Sequence, residues 1–241
     1  MAYVEGHSVP SIRGTAWLRD ENGKQVVDDD PASPNYGRWM LDQSGKKVIG
    51  KVNPDWQMGI NNSFKYKDFT LSAFLDMRFG GHIVSGSENY LLGYGMSTLT
   101  EDRPDNNLTV FDGVKGRRNS DGSYAITSQP NDIETLYDRA YINSYAWQAT
   151  EMVTMKSDFI KLRTVTLGYS VPKGFLKNDL GGVFSNLDIA LSGKNLWRWF
   201  DPGFTGPDPE VNQFGNNNVQ GWYTWAYPTS KSYHITLKAS F

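Results

Sequence analysis

Apolar and polar side chains alternate one for one through several stretches of this chain. Trp56, Met58, Ile60, Asn62, Phe64 and Tyr66 interleave with Gln57, Gly59, Asn61, Ser63 and Lys65. After Lys67-Asp68 the pattern restarts, with Phe69, Leu71, Ala73, Leu75, Met77 and Phe79 set against Thr70, Ser72, Phe74, Asp76 and Arg78. Successive side chains of a strand point to opposite faces, so each stretch predicts a two-faced β-strand. Over Thr164–Val171 the apolar set is Val165, Leu167, Tyr169 and Val171; Leu187, Ile189 and Leu191 then lead to Trp197 and Trp199. Ile160 and Leu162 carry the opposite parity, which predicts a bulge there, or the point where the strand leaves the pattern. The last run sets Tyr233, Ile235, Leu237, Ala239 and Phe241 against Ser232, His234, Thr236, Lys238 and Ser240.

The remaining stretches read as connections. Residues 1–55 are loop with short strand fragments and polar turns at Arg19–Lys24 and Asp42–Lys47. Lys46 and Lys47 stand where a calcium loop would need oxygen ligands, so the second turn is a solvated one. Residues 80–156 interrupt the pattern, with a short helix expected within Val84–Thr98. Tyr137, Tyr141, Tyr145 and Trp147 follow at roughly helical spacing, which favours a packing role. Residues 200–230 form a second long loop rich in Pro, Gly and Asn.

The connection lengths carry topology. Five consecutive strands are joined by links at 67–68, 80–157, 172–183 and 200–230, and the two long links alternate with the shorter ones. Transmembrane barrels pair short turns on one side with long loops on the other, and their strands need about 9–11 residues with aromatics at both interfaces. Asp76 and Arg78 sit on the face that lipid would not tolerate, so that face points inward. Starting from Trp56 outside, every long link falls outside and Phe241 lies at the periplasmic end. A soluble sandwich edge accounts for the last run by itself, but gives no reason for the loops to be sorted. Five strands do not close a barrel, which takes about eight or more, and open edges are excluded in lipid. Several copies must share one barrel, or the stretch belongs to a longer chain.

Composition narrows the function classes. Aromatics make up 14% of the 241 residues, yet no apolar run approaches a transmembrane helix, and the mean hydropathy is −0.52. A net charge of −2 gives no electrostatic case for nucleic acid. Absent cysteine removes disulfides, thiolate zinc sites and a cysteine nucleophile together. The opening MAYVEGHSVP has neither a basic n-region nor an apolar h-region, so the natural N-terminus of an outer-membrane protein is expected upstream.

No catalytic residue, metal ligand or cofactor is expected. His7, His82 and His234 are scattered, and no P-loop, G-x-S-x-G or G-x-G-x-x-G is present. Asp208 and Glu210 can be drawn as a hydrolase pair, although any acidic loop offers as much. The candidate ligand-binding residues are Trp222, Tyr223 and Trp225, with Asn216, Asn217 and Asn218 nearby. Aromatic rings suit the CH faces of sugars, and amides suit their hydroxyls; packing of the loop against a neighbour is the alternative reading. Tyr233, Ile235, Leu237 and Phe241, with Ala239, are the candidate assembly signal for the barrel-insertion machinery, and the same residues also suit contact with lipid.

A series of short motifs resembles one family. Asn53-Pro54-Asp55-Trp56 and Phe64–Phe69 (FKYKDF) resemble segments of SusC/RagA-type TonB-dependent transporters. Phe159–Arg163 (FIKLR), Leu167–Pro172 (LGYSVP), Phe184–Leu187 (FSNL) and Ser192–Trp197 (SGKNLW) do the same. Asp208-Pro209-Glu210, Tyr227-Pro228-Thr229 and the final Phe241 complete the set in the family's order. The resemblance covers about residues 14–241. It implies an all-β fold, the C-terminal part of a 22-stranded transmembrane barrel with about five spanning antiparallel strands and long extracellular loops. Residues 1–55 would be extracellular loop and strand ends, and residues 56–241 barrel, with plug and N-terminal domains lying outside the chain. It further implies an integral outer-membrane importer of Bacteroidota-type bacteria that does no bond chemistry. The cargo would be oligosaccharides or peptides, the energy would come from TonB through the missing part, and a SusD-like surface lipoprotein would be the lid. A soluble aromatic-rich carbohydrate-binding β-domain and a multi-chain barrel pore remain the rival readings.

Overall fold

The structure is a computed structural model. It describes all residues except 102, 103, 105, 107, 180 and 214–219, and at residue 144 the backbone only. Contacts divide the chain into two units that interleave in sequence. One comprises residues 54–81, 156–210 and 227–241; the other comprises 1–53, 82–155 and 211–226.

The first unit is one antiparallel sheet of five strands. These are β1 (Trp56–Tyr66), β2 (Phe69–Phe79), β3 (Phe159–Ser170), β4 (Asn186–Phe200) and β5 (Ser232–Ser240), in the spatial order β5-β4-β3-β2-β1. Every strand pairs with its predecessor in the chain, as in an up-and-down wall. Lys67 takes φ +52, which lets the hairpin turn in two residues between the paired Tyr66 and Phe69. The two long links leave and rejoin the sheet at the end bearing Trp56, Phe79 and Trp199.

Register turns the alternation into two faces. One row across the sheet reads Phe64, Leu71, Leu167, Leu191 and Ile235. The adjacent row reads Ser63, Ser72, Thr166, Ser192 and His234, and the Thr166 and Ser192 hydroxyls meet at 2.9 Å. Aromatic side chains close both ends of the apolar face. Trp56 stacks on Phe79 at 4.8 Å, and Phe79 lies 6.1 Å from Trp199. At the opposite end Phe69 lies 4.7 Å from Tyr169. The 11 residues of β1 span about 33 Å at a rise of ~3.3 Å, or about 25 Å across a bilayer at a tilt near 40°. That matches the apolar band of an outer-membrane barrel.

The parity change expected near residue 162 is a bulge. Pairing with both neighbours shifts between Leu162 and Thr164, which leaves Arg163 without a partner in the ladder. Ile160 and Leu162 thereby stay on the apolar face with Val165, Leu167 and Tyr169. β3 therefore starts at Phe159 rather than Thr164.

The second unit is built from the residues before β1 and from the two long links. Ser11–Gly14 pairs antiparallel with Lys47–Lys51, and Val26–Asp28 runs parallel to Val114–Arg118. Helix α1 (Gly86–Gly93) forms inside the stretch expected to hold one, capped by the Ser85 hydroxyl, which accepts from the Glu88 N–H at 2.9 Å. The Tyr137–Trp147 run breaks into helix α2 (Arg139–Ser144) and a 3-10 turn at Ala146–Gln148. Its rings pack: Tyr141 is 2% exposed, 5.5 Å from Phe111 and 5.9 Å from Tyr145, in a core that also holds Trp17 and Ile142.

Val165, paired with Ala73 near the middle of the strands, sits on the apolar face and Thr166 beside it on the polar face. Val165→Arg is expected to cost ~2–4 kcal/mol in the bilayer and to lower the yield of folded, heat-modifiable receptor, whereas Thr166→Arg leaves that yield nearly unchanged. The reverse ordering would show that the faces are assigned backwards.

Candidate functional site

The polar face of the sheet carries a concentrated set of charges beside the bulge. Lys161 is on that face of β3 and only 3% exposed. A buried ammonium is costly unless it is paired and hydrogen-bonded. Its Nζ donates to Asp208 Oδ1 at 2.6 Å and to the Glu210 carboxylate, and it lies 4.8 and 5.5 Å from the ring centres of Phe159 and Phe200. Asp208, 2% exposed, also accepts from the Thr229 hydroxyl and, at 2.9 Å, from the Glu210 backbone N–H.

Arg163, the residue displaced by the bulge, completes the set. Its Nε and Nη2 donate to Asp76 Oδ2 at 3.0 and 2.7 Å, and Nη2 also reaches Glu210. A bulge re-aims a side chain, and here two successive cations, Lys161 and Arg163, converge on one acidic loop. Burial pushes the Glu210 carboxyl up, but hydrogen bonds from Arg163 and Lys161 outweigh it and hold the group below its ordinary value. The cluster thus ties both legs of the 201–231 loop, through Asp208–Glu210 and Thr229, to β2 and β3. Its carboxylates are engaged by cations, and among the described residues no group of three or more His, Asp or Glu side chains is arranged to hold a metal.

The expected ligand residues fall in different environments. Trp222 is half-buried and donates from Nε1 to Thr224 Oγ1 at 3.0 Å. Tyr223 is 1% exposed beside Ser85, so its ring supports the loop from within. Trp225 is 63% exposed and takes φ +53, an unusual conformation for so bulky a residue. Its N–H donates to Ser87 Oγ at 2.5 Å, and its ring lies 5.8 Å from Tyr90, which is itself 55% exposed. Asn216, Asn217 and Asn218 lie outside the described residues. On β5, Tyr233, Ile235 and Leu237 share the apolar face and are 71%, 81% and 66% exposed; Phe241 packs 5.3 Å from Phe184.

Sequence reasoning assigned no role to Lys161, Arg163 or Thr229, and treated Asp208 and Glu210 only as an unconvincing catalytic pair. The available signal was the parity break at residue 162 next to two cations and opposite Asp76.

Known proteins share this wall. The chain is 25% identical over 237 residues to TonB-dependent receptor P3 of Formosa agariphila, covering 95% of this chain and 20% of that protein. It is 26% identical over 208 residues to TonB-dependent receptor P39 of the same organism, covering 85% and 18%. Among solved structures it resembles the RagAB peptide importer in its open-open state, with TM-score 0.58, 15% identity, 96% of this chain and 22% of that chain. The closed-closed state gives TM-score 0.56 at 14% identity, with 96% and 23% covered.

The chain is similar over nearly its whole length to TonB-dependent receptors, and its fold resembles a barrel segment of the SusC/RagA type.

The chain spans about a fifth of the length of the curated relatives it matches. No protein-family model matches it. It is an integral outer-membrane element, and its five strands are part of a transmembrane β-barrel.

Removing one partner of a buried ion pair leaves the other uncompensated and costs ~3–5 kcal/mol. Lys161→Met in the full receptor is therefore expected to make the 201–231 loop protease-sensitive, and adding Asp208→Leu should restore much of its resistance. Glu210 supplies a pH test. Because its folded value lies below 4.5, its contribution is fully present above about that pH and is lost as pH falls through the folded value. Protection of the loop should weaken on acidification below about pH 4.5, and Glu210→Gln should flatten that dependence.

Proposed function

We propose that the segment forms part of the wall of an importer that takes oligosaccharides or peptides across the outer membrane, energised by TonB and covered by a SusD-like lipoprotein. The observation that carries this reading is the two-faced sheet. Its apolar face bounded by aromatic belts suits lipid, and its polar face, with ion-paired charges, suits the inside of a barrel. The curated relatives are named as TonB-dependent receptors, which supports TonB as the energy source. The structural neighbour is a peptide importer, which supports import and favours peptide among the cargoes. Uptake by the full receptor should vanish in cells lacking TonB, and uptake that persists there would refute the reading.

Within this importer, Trp225 and the half-buried Trp222 are the proposed cargo contacts of the last long loop, and the Tyr90 ring 5.8 Å from Trp225 supports that reading. Replacing Trp222 and Trp225 by Ala should reduce uptake severalfold while barrel assembly stays intact; unchanged uptake would leave them as packing residues. On β5, Tyr233, Ile235, Leu237 and Phe241 form the proposed signal for the barrel-insertion machinery. Phe241→Ala should lower the outer-membrane yield of the receptor, and a normal yield would count against that role.

A further inference from the structure

The bulge beside Arg163 has a counterpart on the neighbouring strand. Leu162 pairs with Trp197 and Thr164 with Lys194, so Asn195 and Leu196 of β4 have no partner in the β3 ladder. The β5 ladder ends at Ser232, paired with Lys194. Beyond it the incoming chain runs beside β4, tied by Asn195 Nδ2 donating to the Ser230 carbonyl at 3.0 Å. Asn195 takes φ +52, a left-handed conformation that Asn tolerates better than most residues. The two chain segments therefore separate without losing their tie.

A cavity of about 390 Å³ opens between them. Its lining includes Lys161, Asn195, Trp197, Arg198, Thr229 and Lys231. Three of these are cations, in a chain whose net charge is −2. Lys161 is already matched by Asp208 and Glu210. Arg198 lies over the Phe200 ring at 5.2 Å, and neither it nor Lys231 has an acidic partner among the described residues. Asp208 and Glu210 are held by Lys161, Arg163 and Thr229, so they are not available to neutralise these two.

We infer that this cavity is a subsite for a carboxylate group, with Arg198 and Lys231 as the charge partners. A guanidinium offers a planar fork that matches a carboxylate in two hydrogen bonds, and an ammonium adds an orientable point charge. The inference rests on the transport reading only in taking the carboxylate to be part of the cargo; its chemistry, acidic rather than neutral, is the new statement.

The test is direct binding to the full receptor in detergent, measured calorimetrically with two acidic probes, tetraglutamate and trigalacturonate. Their neutral counterparts, the side-chain amide and the methyl ester, serve as references. At least one acidic probe should bind at least tenfold more tightly than its neutral form, and which of them does so separates a peptide source from a glycan source. Arg198→Gln with Lys231→Gln should abolish that preference. Lys238→Gln, which removes a cation of the same face on β5, should preserve it. Equal binding of charged and neutral probes, a preference that survives the double substitution, or equal loss with Lys238→Gln would each overturn the subsite. TonB-dependent uptake combined with any of those results would sink the subsite and leave the transport reading standing. A charge preference without TonB-dependent uptake would do the opposite.

Discussion

A chain that crosses hydrocarbon has no water to satisfy its N–H and C=O groups, and each group left unmade costs several kcal/mol. That constraint underlies the whole sheet. It explains why each strand pairs with its neighbour along its length and why the two-residue turn at Lys67 sits at the end away from the long links. It also fixes what the outer edges of β1 and β5 meet. Among the described residues they pair with nothing, so in the membrane they are satisfied by neighbouring strands of the same barrel. The aromatic belts then mark where the constraint relaxes, because beyond Trp56 and Tyr66 water returns.

The ionic cluster shows how charge is managed just inside that boundary. Lys161 is almost fully enclosed, and two carboxylates, a hydroxyl that fixes one of them, and two aromatic rings surround it. A buried pair of this kind contributes little net stability compared with a well-packed apolar equivalent. Its value lies in definition of position. Asp208, Glu210 and Thr229 come from the two legs of one long loop, and a shared set of partners on the wall determines where both legs start. The loop between those legs carries the exposed Trp225, which keeps its left-handed backbone because Ser87 holds its N–H.

Much of this is legible in the sequence. Period-two alternation identified all five strands, and the sorting of links by length gave the topology, because both follow from the pleat and the membrane alone. The parity break at Ile160 and Leu162 was visible as an anomaly. Its resolution was not, since whether a strand bulges or stops depends on which neighbours it pairs with. The roles of Lys161 and Arg163 were hidden for the same reason: their partners lie far along the chain. Tyr223 illustrates the opposite difficulty. Trp222, Tyr223 and Trp225 look alike as a run of aromatics, yet a two-residue parallel pairing with Val84 and Ser85 turns Tyr223 inward and leaves Trp225 outside.

The paired irregularity of β3 and β4 bears on how such a wall changes over evolutionary time. Inside and outside differ by one residue of phase, so losing or gaining a single position within a strand transposes everything on one side of the change. The extra residue in β3 faces two unladdered residues in β4, and the apolar rows resume on both strands. Loops of these receptors are therefore free to drift in length by any number of residues. Their strands admit such drift only where the neighbour already offers slack, and the segment around Arg163, Asn195 and Leu196 is one such expansion joint.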